Sequence, residues 1–278
     1  MNLGIVSYKN VKRRRRSKKL AIAISAVVGA ISLLSFVPFI YLLLIGFSKQ
    51  DGTAKGKYLL QSVFSAMPVI LDMRNSGILA LTTTILVVVI SAMAGFGFAK
   101  LTYKNSKIFY GLIVSAITIP IATIIIPNYL NLAKMGGIGS FWAPILIYTV
   151  TFLPVSTVLT TSYFKSLPSS LVESALMDGA SYPRIFIFIL SPLAVPAFVT
   201  VGVLAFLGAW NDLLIGLLFL PNPERRTMSA GIASLQGIHS SPMNLILAAS
   251  FISAIPPILA FVFFQKHLIS GVTSGMGK

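Results

Sequence analysis

Residues 77–99 read GILALTTTILVVVISAMAGFGFA, a run without one charged side chain. A helix rises about 1.5 Å per residue, so about 20 apolar residues cross a hydrocarbon core about 30 Å thick. This run is long enough. A membrane barrel would instead alternate apolar and polar residues over segments of about 10. Working outward from it, apolar stretches recur at 20–47, 108–130, 140–163, 185–219 and 244–265. The expected fold class is therefore all-α: a polytopic membrane protein with about six transmembrane helices.

Composition agrees. The chain is 56% hydrophobic and 10% charged, with a mean hydropathy of +0.89, which does not describe a soluble domain. A net charge of +16 raises nucleic acid as a partner. A nucleic-acid-binding domain, however, spreads its basic residues over a folded polar surface. Here they sit between apolar runs, so no nucleic-acid partner is expected. Cysteine is absent, which removes disulfides and thiolate metal sites. The 278 residues suit one membrane domain with short loops and no soluble catalytic domain.

The first run follows Lys12, Arg13 to Arg16, Lys18 and Lys19 and continues through Phe36, Phe39 and Tyr41 to Leu44. It outlasts the h-region of a signal peptide and reads as an uncleaved signal anchor. With the N-terminus inside, the segments on the inner side carry 15 Lys and Arg and those on the outer side seven: Lys49, Lys55, Lys57, Arg74, Lys134, Arg225 and Arg226. That split follows the positive-inside rule and puts both termini in the cytoplasm, with membrane lipid at the tetra-arginine. The expected division is a basic cytoplasmic N-terminus at 1–19, a transmembrane domain at 20–265 and a cytoplasmic tail at 266–278.

The run 185–219 would extend about 52 Å as one helix, too long for one crossing. The expectation is a span ending near Leu207, a polar turn at Trp210-Asn211-Asp212 and an apolar return from Leu213 to Leu220. Asp212 is either a paired functional acid or a helix cap at the outer interface. Trp142, Tyr148 and Phe206 offer aromatic surface for stacking, although membrane aromatics more often pack or form belts.

Between the fourth and fifth spans the sequence runs Leu167-Pro168-Ser169-Ser170-Leu171-Val172-Glu173-Ser174-Ala175-Leu176-Met177-Asp178-Gly179-Ala180-Ser181-Tyr182-Pro183-Arg184. Ser170 with Glu173 has the spacing of a capping box. Gly179 suits the left-handed residue that stops a helix, and Pro183 suits the first turn of the next. A short cytoplasmic helix within 168–182 follows. Leu171 and Ala175 share a face that calls for a partner: a groove on another protein, or the membrane surface.

These residues resemble the integral membrane subunits of binding-protein-dependent ABC importers. Their cytoplasmic signature runs Glu-Ala-Ala, three residues, Gly, nine residues, then Ile-x-Leu-Pro. Here Glu173-Ser174-Ala175 precedes Gly179, Ile189 and Pro192 at that spacing, with Ser174 and Ser191 as departures. Phe98-Ala99-Lys100, Ile119-Pro120, Asp178-Gly179-Ala180-Ser181, Trp210-Asn211-Asp212, Arg226-Thr227-Met228, Phe264-Gln265-Lys266 and Ser270-Gly271 resemble the smaller six-span subunit of maltose-type sugar permeases in particular. The resemblance covers about residues 70–278. It implies a type I ABC importer (MetI-like) permease fold in a bacterial or archaeal plasma membrane, forming with a second homologous permease the path for a sugar delivered by an extracytoplasmic binding protein. It implies two separate ATPase subunits that hold ATP and Mg, with no cofactor on this chain. The chain's own lack of a Walker-type phosphate loop agrees, so it is not expected to be an enzyme.

By the same resemblance, Glu173, Ser174, Ala175, Leu176, Asp178, Gly179 and Ala180 form the coupling helix that docks in the ATPase. In the outer loop between Leu220 and Met243, Gln236, Gly237, Ile238, His239, Ser240 and Ser241 contact the binding protein, although a simple connecting turn serves as well. Three other classes compete. An ion-coupled carrier should hold charges within its spans, and an intramembrane hydrolase should show a zinc or triad arrangement that His239 and His267 do not provide. A permease of the same family for a non-sugar solute is the third.

Overall fold

A computed structural model of the chain describes residues 24–34, 37, 40, 58–236 and 243–276. Among them every regular element is helical: α1 (Ile24–Leu34), α2 (Tyr58–Ala66), α3 (Val69–Lys100), α4 (Ser106–Ala116), α5 (Ile121–Lys134), α6 (Trp142–Ser166), α7 (Ser170–Met177), α8 (Tyr182–Leu193), α9 (Val195–Asn211), α10 (Leu214–Phe219), α11 (Met228–Gln236) and α12 (Met243–Met276). Most of the expected first span lies outside the described residues.

Helix α3 lies at the centre, with α6 and α9 packed along it and α12 against α9. Its inward face repeats every three or four residues: Asp72, Asn75 and Ser76, Leu79, Thr83, Val87, Ser91, then Gly95 and Phe96, all buried. Its outward face carries Ile78, Leu81, Ile85, Val89 and Met93, all exposed. This arrangement suits lipid as solvent, because aliphatic side chains gain nothing by leaving it while small and polar ones let helices approach and bond. Gly95 shows the approach. A Cβ there would run into Thr160, whose hydroxyl donates to the Ser91 carbonyl at 2.7 Å.

Two expected spans are broken. The run 108–130 folds as α4 and α5 with a 95° bend between them and continues to Lys134. Pro120 stands at the break; it lacks an N–H and pushes the residue before it out of helical conformation. The run 185–219 does contain several elements, but its main break is not the polar turn. Helix α8 passes through π-turns at Ile185–Leu190 and bends by 77° into α9 at Ala194, with Pro192 and Pro196 on either side. Helix α9 then continues past Leu207 to Asn211, and the short return α10 is packed inside the protein, with Ile215 and Phe219 buried. Among the described residues three helices, α3, α6 and α12, are long and apolar enough to cross a membrane, and the number rises to five where each bent pair counts as one span rather than a re-entrant loop.

Candidate functional site

The signature segment forms a helix with a fixed root and a free face. Helix α7 ends in a Schellman motif: the Ala180 N–H donates to the Ala175 carbonyl at 2.9 Å and that of Gly179 to Leu176 at 3.0 Å. Gly179 holds φ +79°, which its missing Cβ allows without strain. Pro183 falls in the first turn of α8, as expected. At the other end Lys100, closing α3, donates from Nζ to the Leu167 carbonyl at 2.7 Å and satisfies a carbonyl where α6 stops. Beneath the helix, Val172 and Ala175 pack with Phe96, Phe164, Ile185, Leu190 and Ala194.

Two expectations fail here. Ser169, not Ser170, occupies the N-cap, and no side chain caps the helix, so the capping box does not form. Ser170 is already helical, and its carbonyl accepts from the Ser174 hydroxyl at 2.7 Å. The face of Leu171 and Ala175 is not unpartnered either, because Ala175 is buried in the protein's own inner cluster and Leu171 lies half-buried against it. The open face is instead Glu173, Leu176 and Met177, one turn apart. Met177 is 88% exposed. The Glu173 carboxylate is exposed and has no hydrogen bond or ion pair among the described residues. Ser174, Asp178 and Gly179 are also exposed and Ala180 half-buried.

At the opposite end of α3 stands a cluster that the spacing of apolar residues does not reveal. Asp72, with no exposed surface, receives a bond from Nε of Arg226 at 3.0 Å, while its Oδ1 has no partner among the described residues. Nη1 of Arg226 donates to the Ser234 hydroxyl at 3.0 Å. One turn on, Nδ2 of Asn75 donates to the carbonyls of Glu224 (3.0 Å) and Arg226 (3.1 Å), and the Ser76 hydroxyl accepts from the Met228 N–H at 2.8 Å. The segment leading into α11 is therefore stitched to the first two turns of α3. Within the 220–243 connection, α11 takes up Met228–Gln236, nine residues. Gln236 is the exposed last residue of α11; Gly237, Ile238, His239, Ser240 and Ser241 lie outside the described residues.

Asp212 is both paired and a cap. Its Oδ1 accepts from the Tyr148 hydroxyl and from the Ile215 N–H, each at 2.8 Å. Trp210 is buried and donates from Nε1 to the Ser253 carbonyl at 3.1 Å, tying α9 to α12. Tyr148 and Trp210 are thus committed to packing, and Phe206 stacks on Trp210. Among the described residues no group of three or more His, Cys, Asp or Glu is placed to hold a metal ion.

Residues 88–274, which include α7, match the family described as binding-protein-dependent transport system inner membrane component. The sulfoquinovosyl glycerol transport system permease protein of Agrobacterium fabrum is 35% identical over 212 residues, covering 76% of this chain and 74% of that protein. The trehalose/maltose transport system permease protein of Thermococcus litoralis is 30% identical over 273 residues, covering 94% of this chain and 97% of that one. In architecture the chain resembles one from the crystal structure of a bacterial ABC transporter involved in import of the acidic polysaccharide alginate. The TM-score is 0.75 at 18% identity, covering 91% of this chain and 97% of that chain, which is likeness of fold.

Proposed function

The chain belongs to the binding-protein-dependent transport system inner membrane components, and from that membership we propose that it pairs with a second homologous permease to form the path of a sugar or oligosaccharide into the cell. It is a multi-pass membrane protein and a non-catalytic permease subunit. In the proposed assembly two ATPase subunits bind ATP and Mg on the cytoplasmic side, and an extracytoplasmic binding protein delivers the solute. The lysine and arginine distribution favours both termini in the cytoplasm, with 1–19 and 266–278 flanking the transmembrane domain. Sugar is favoured because relatives matching most of the chain carry sugar-transport names.

The observation that carries the coupling role is the open face of α7. A short helix fastened by Lys100, a Schellman turn and a buried cluster presents an unpaired carboxylate beside an almost fully exposed methionine. A charged and apolar face on a rigid root suits a groove with a basic residue in it. Glu173 is the residue that meets the ATPase, with Leu176 and Met177 filling the groove and Gly179 setting the exit toward α8. At the outer end, Gln236 and the residues through Ser241 receive the binding protein.

The test is purification of the tagged chain from its native membrane, with Glu173→Ala and Glu173→Lys variants beside it. Wild type is expected to bring down an ATPase and a second permease. The lysine variant is expected to lose the ATPase and keep the permease. Recovery of an ATPase unaffected by the lysine would remove Glu173 from the interface, and recovery of the chain alone would falsify the importer reading.

A further inference from the structure

Of the three described helices long enough to cross a membrane, α3 alone has no interior proline: α6 holds Pro154, and α12 holds Pro256 and Pro257. The remaining apolar runs are bent by 95° and 77°. An interior proline removes a ladder hydrogen bond and is the commonest site of a kink. Over its 32 residues α3 is therefore a stiff rod about 48 Å long. Both of its ends are bonded to other segments. Its first two turns hold the 224–228 segment through Asp72, Asn75 and Ser76. Its last residue, Lys100, donates from Nζ to the Leu167 carbonyl at 2.7 Å.

That lysine is unlike its neighbours on the inner side. Lys104 and Lys107 are exposed, and Lys165 lies over the Tyr110 ring at 5.1 Å; of these four only Lys100, half-buried, donates a hydrogen bond among the described residues. Leu167 is the extended residue at which α6 stops, and α7 begins three residues later at Ser170. The ammonium thus stands where α3 and α6 both end, beside two helix C-termini that favour a cation. Phe96, Ala99 and Leu101 of the same region pack in the cluster beneath α7. Apolar contacts carry no direction, and packed helices slide over one another in shear motions, whereas a hydrogen bond weakens steeply once its distance and angle change. The bond of Lys100 therefore sets the register that the packing leaves free.

We propose that Lys100 is a positioning residue for energy coupling: it clasps the root of α7 to α3, so that the ATPase at one end of that rod and the outer segment at the other are linked through it. The proposal rests on the importer reading and adds a second residue to the coupling role of Glu173. Glu173 meets the ATPase; Lys100 makes the helix that carries Glu173 move with α3. Without the clasp α7 stays folded and docked, but slips against α3 when either end moves. Linkage between the two ends is then weakened in both directions.

The experiment uses the whole complex purified from native membrane in nanodiscs, with ATP hydrolysis measured in the presence and absence of its extracytoplasmic binding protein. In Lys100→Met, which keeps an apolar stem and has no donor, the stimulation by binding protein is expected to fall about tenfold, the scale of a lost hydrogen bond from a charged donor. Lys100→Arg, whose guanidinium still donates to a carbonyl, should restore most of it. The ATPase should remain bound to Lys100→Met, and hydrogen exchange across 170–180 should match wild type, because the Schellman turn and the cluster beneath α7 are left in place. Unchanged stimulation in Lys100→Met overturns the proposal, as does an equal loss in Lys100→Arg. Loss of the ATPase, or of protection across 170–180, overturns it as well, because Lys100 then maintains the fold of α7 and not its register. A wild-type complex that no binding protein stimulates instead sinks the importer reading itself.

Discussion

Arg226→Gln removes the counter-charge from a carboxylate that has no exposed surface, whereas Asp72→Asn removes it from a guanidinium that keeps 18% exposure and a second bond to Ser234. The two costs should therefore differ. Stranding a buried charge by deleting its partner costs about 3–5 kcal/mol. Arg226 can meet water and Ser234, and an asparagine oxygen at position 72 still accepts from Nε, so Asp72→Asn should cost about 1–2 kcal/mol. For a chain of this size each kcal/mol moves the thermal midpoint by about 2–4 °C, which predicts a fall of roughly 6–20 °C for Arg226→Gln and only a few degrees for Asp72→Asn. The double variant leaves two neutral amides in contact and should lose less than Arg226→Gln alone, a strongly non-additive cycle. The assay is the thermal midpoint of the detergent-purified chain by intrinsic fluorescence. Equal losses from the two single variants, or a double variant that loses their sum, would refute this account of the pair.

Tyr148→Phe deletes the hydroxyl bonded to Asp212 but leaves the Ile215 N–H bond, so it should cost about 1–2 kcal/mol and be non-additive with Asp212→Asn in the same melting assay. Gly179→Ala forces a Cβ into the left-handed region at φ +79°, at a cost of about 1–2 kcal/mol. Hydrogen exchange read by mass spectrometry should show faster exchange across 170–180 with α3 and α6 unchanged. Unaltered protection of α7 would mean that the Schellman turn does not set its stability.

Much of this protein is legible in the pattern of its apolar runs, because lipid demands length and hydrophobicity before anything else. The spans at α3, α6 and α12, the stop at Gly179 and the proline opening α8 all follow from rules that act over a few residues. The remainder depends on distance in three dimensions. The inner cluster that takes up Ala175 draws on Phe96, Phe164 and Ile185, so no local reading could tell that this face was already occupied. Asp72 escapes a local reading because the run without charges begins five residues later, and its partner is 154 positions away. The signal available was a lone acid one turn before a span, together with Arg226 in a segment on the same side. The breaks at Pro120 and Ala194 were obscured by the abundance of prolines, since Pro127, Pro154, Pro256 and Pro257 stand inside helices that continue.

The bend between α4 and α5 bears on the bilayer itself. Limbs of 11 and 14 residues are about 16 and 21 Å long, and set at 95° to each other they climb only about 25 Å. Helix α3, with 32 residues, is about 48 Å long. Counted as one span, the bent pair is shorter than a typical hydrocarbon core of about 30 Å while α3 is longer, so a bilayer matched to one would be mismatched to the other. Each ångström of that mismatch carries an elastic cost of a fraction of a kcal/mol. On that count acyl-chain length would act on the subunit as a mechanical load that differs from one crossing to the next.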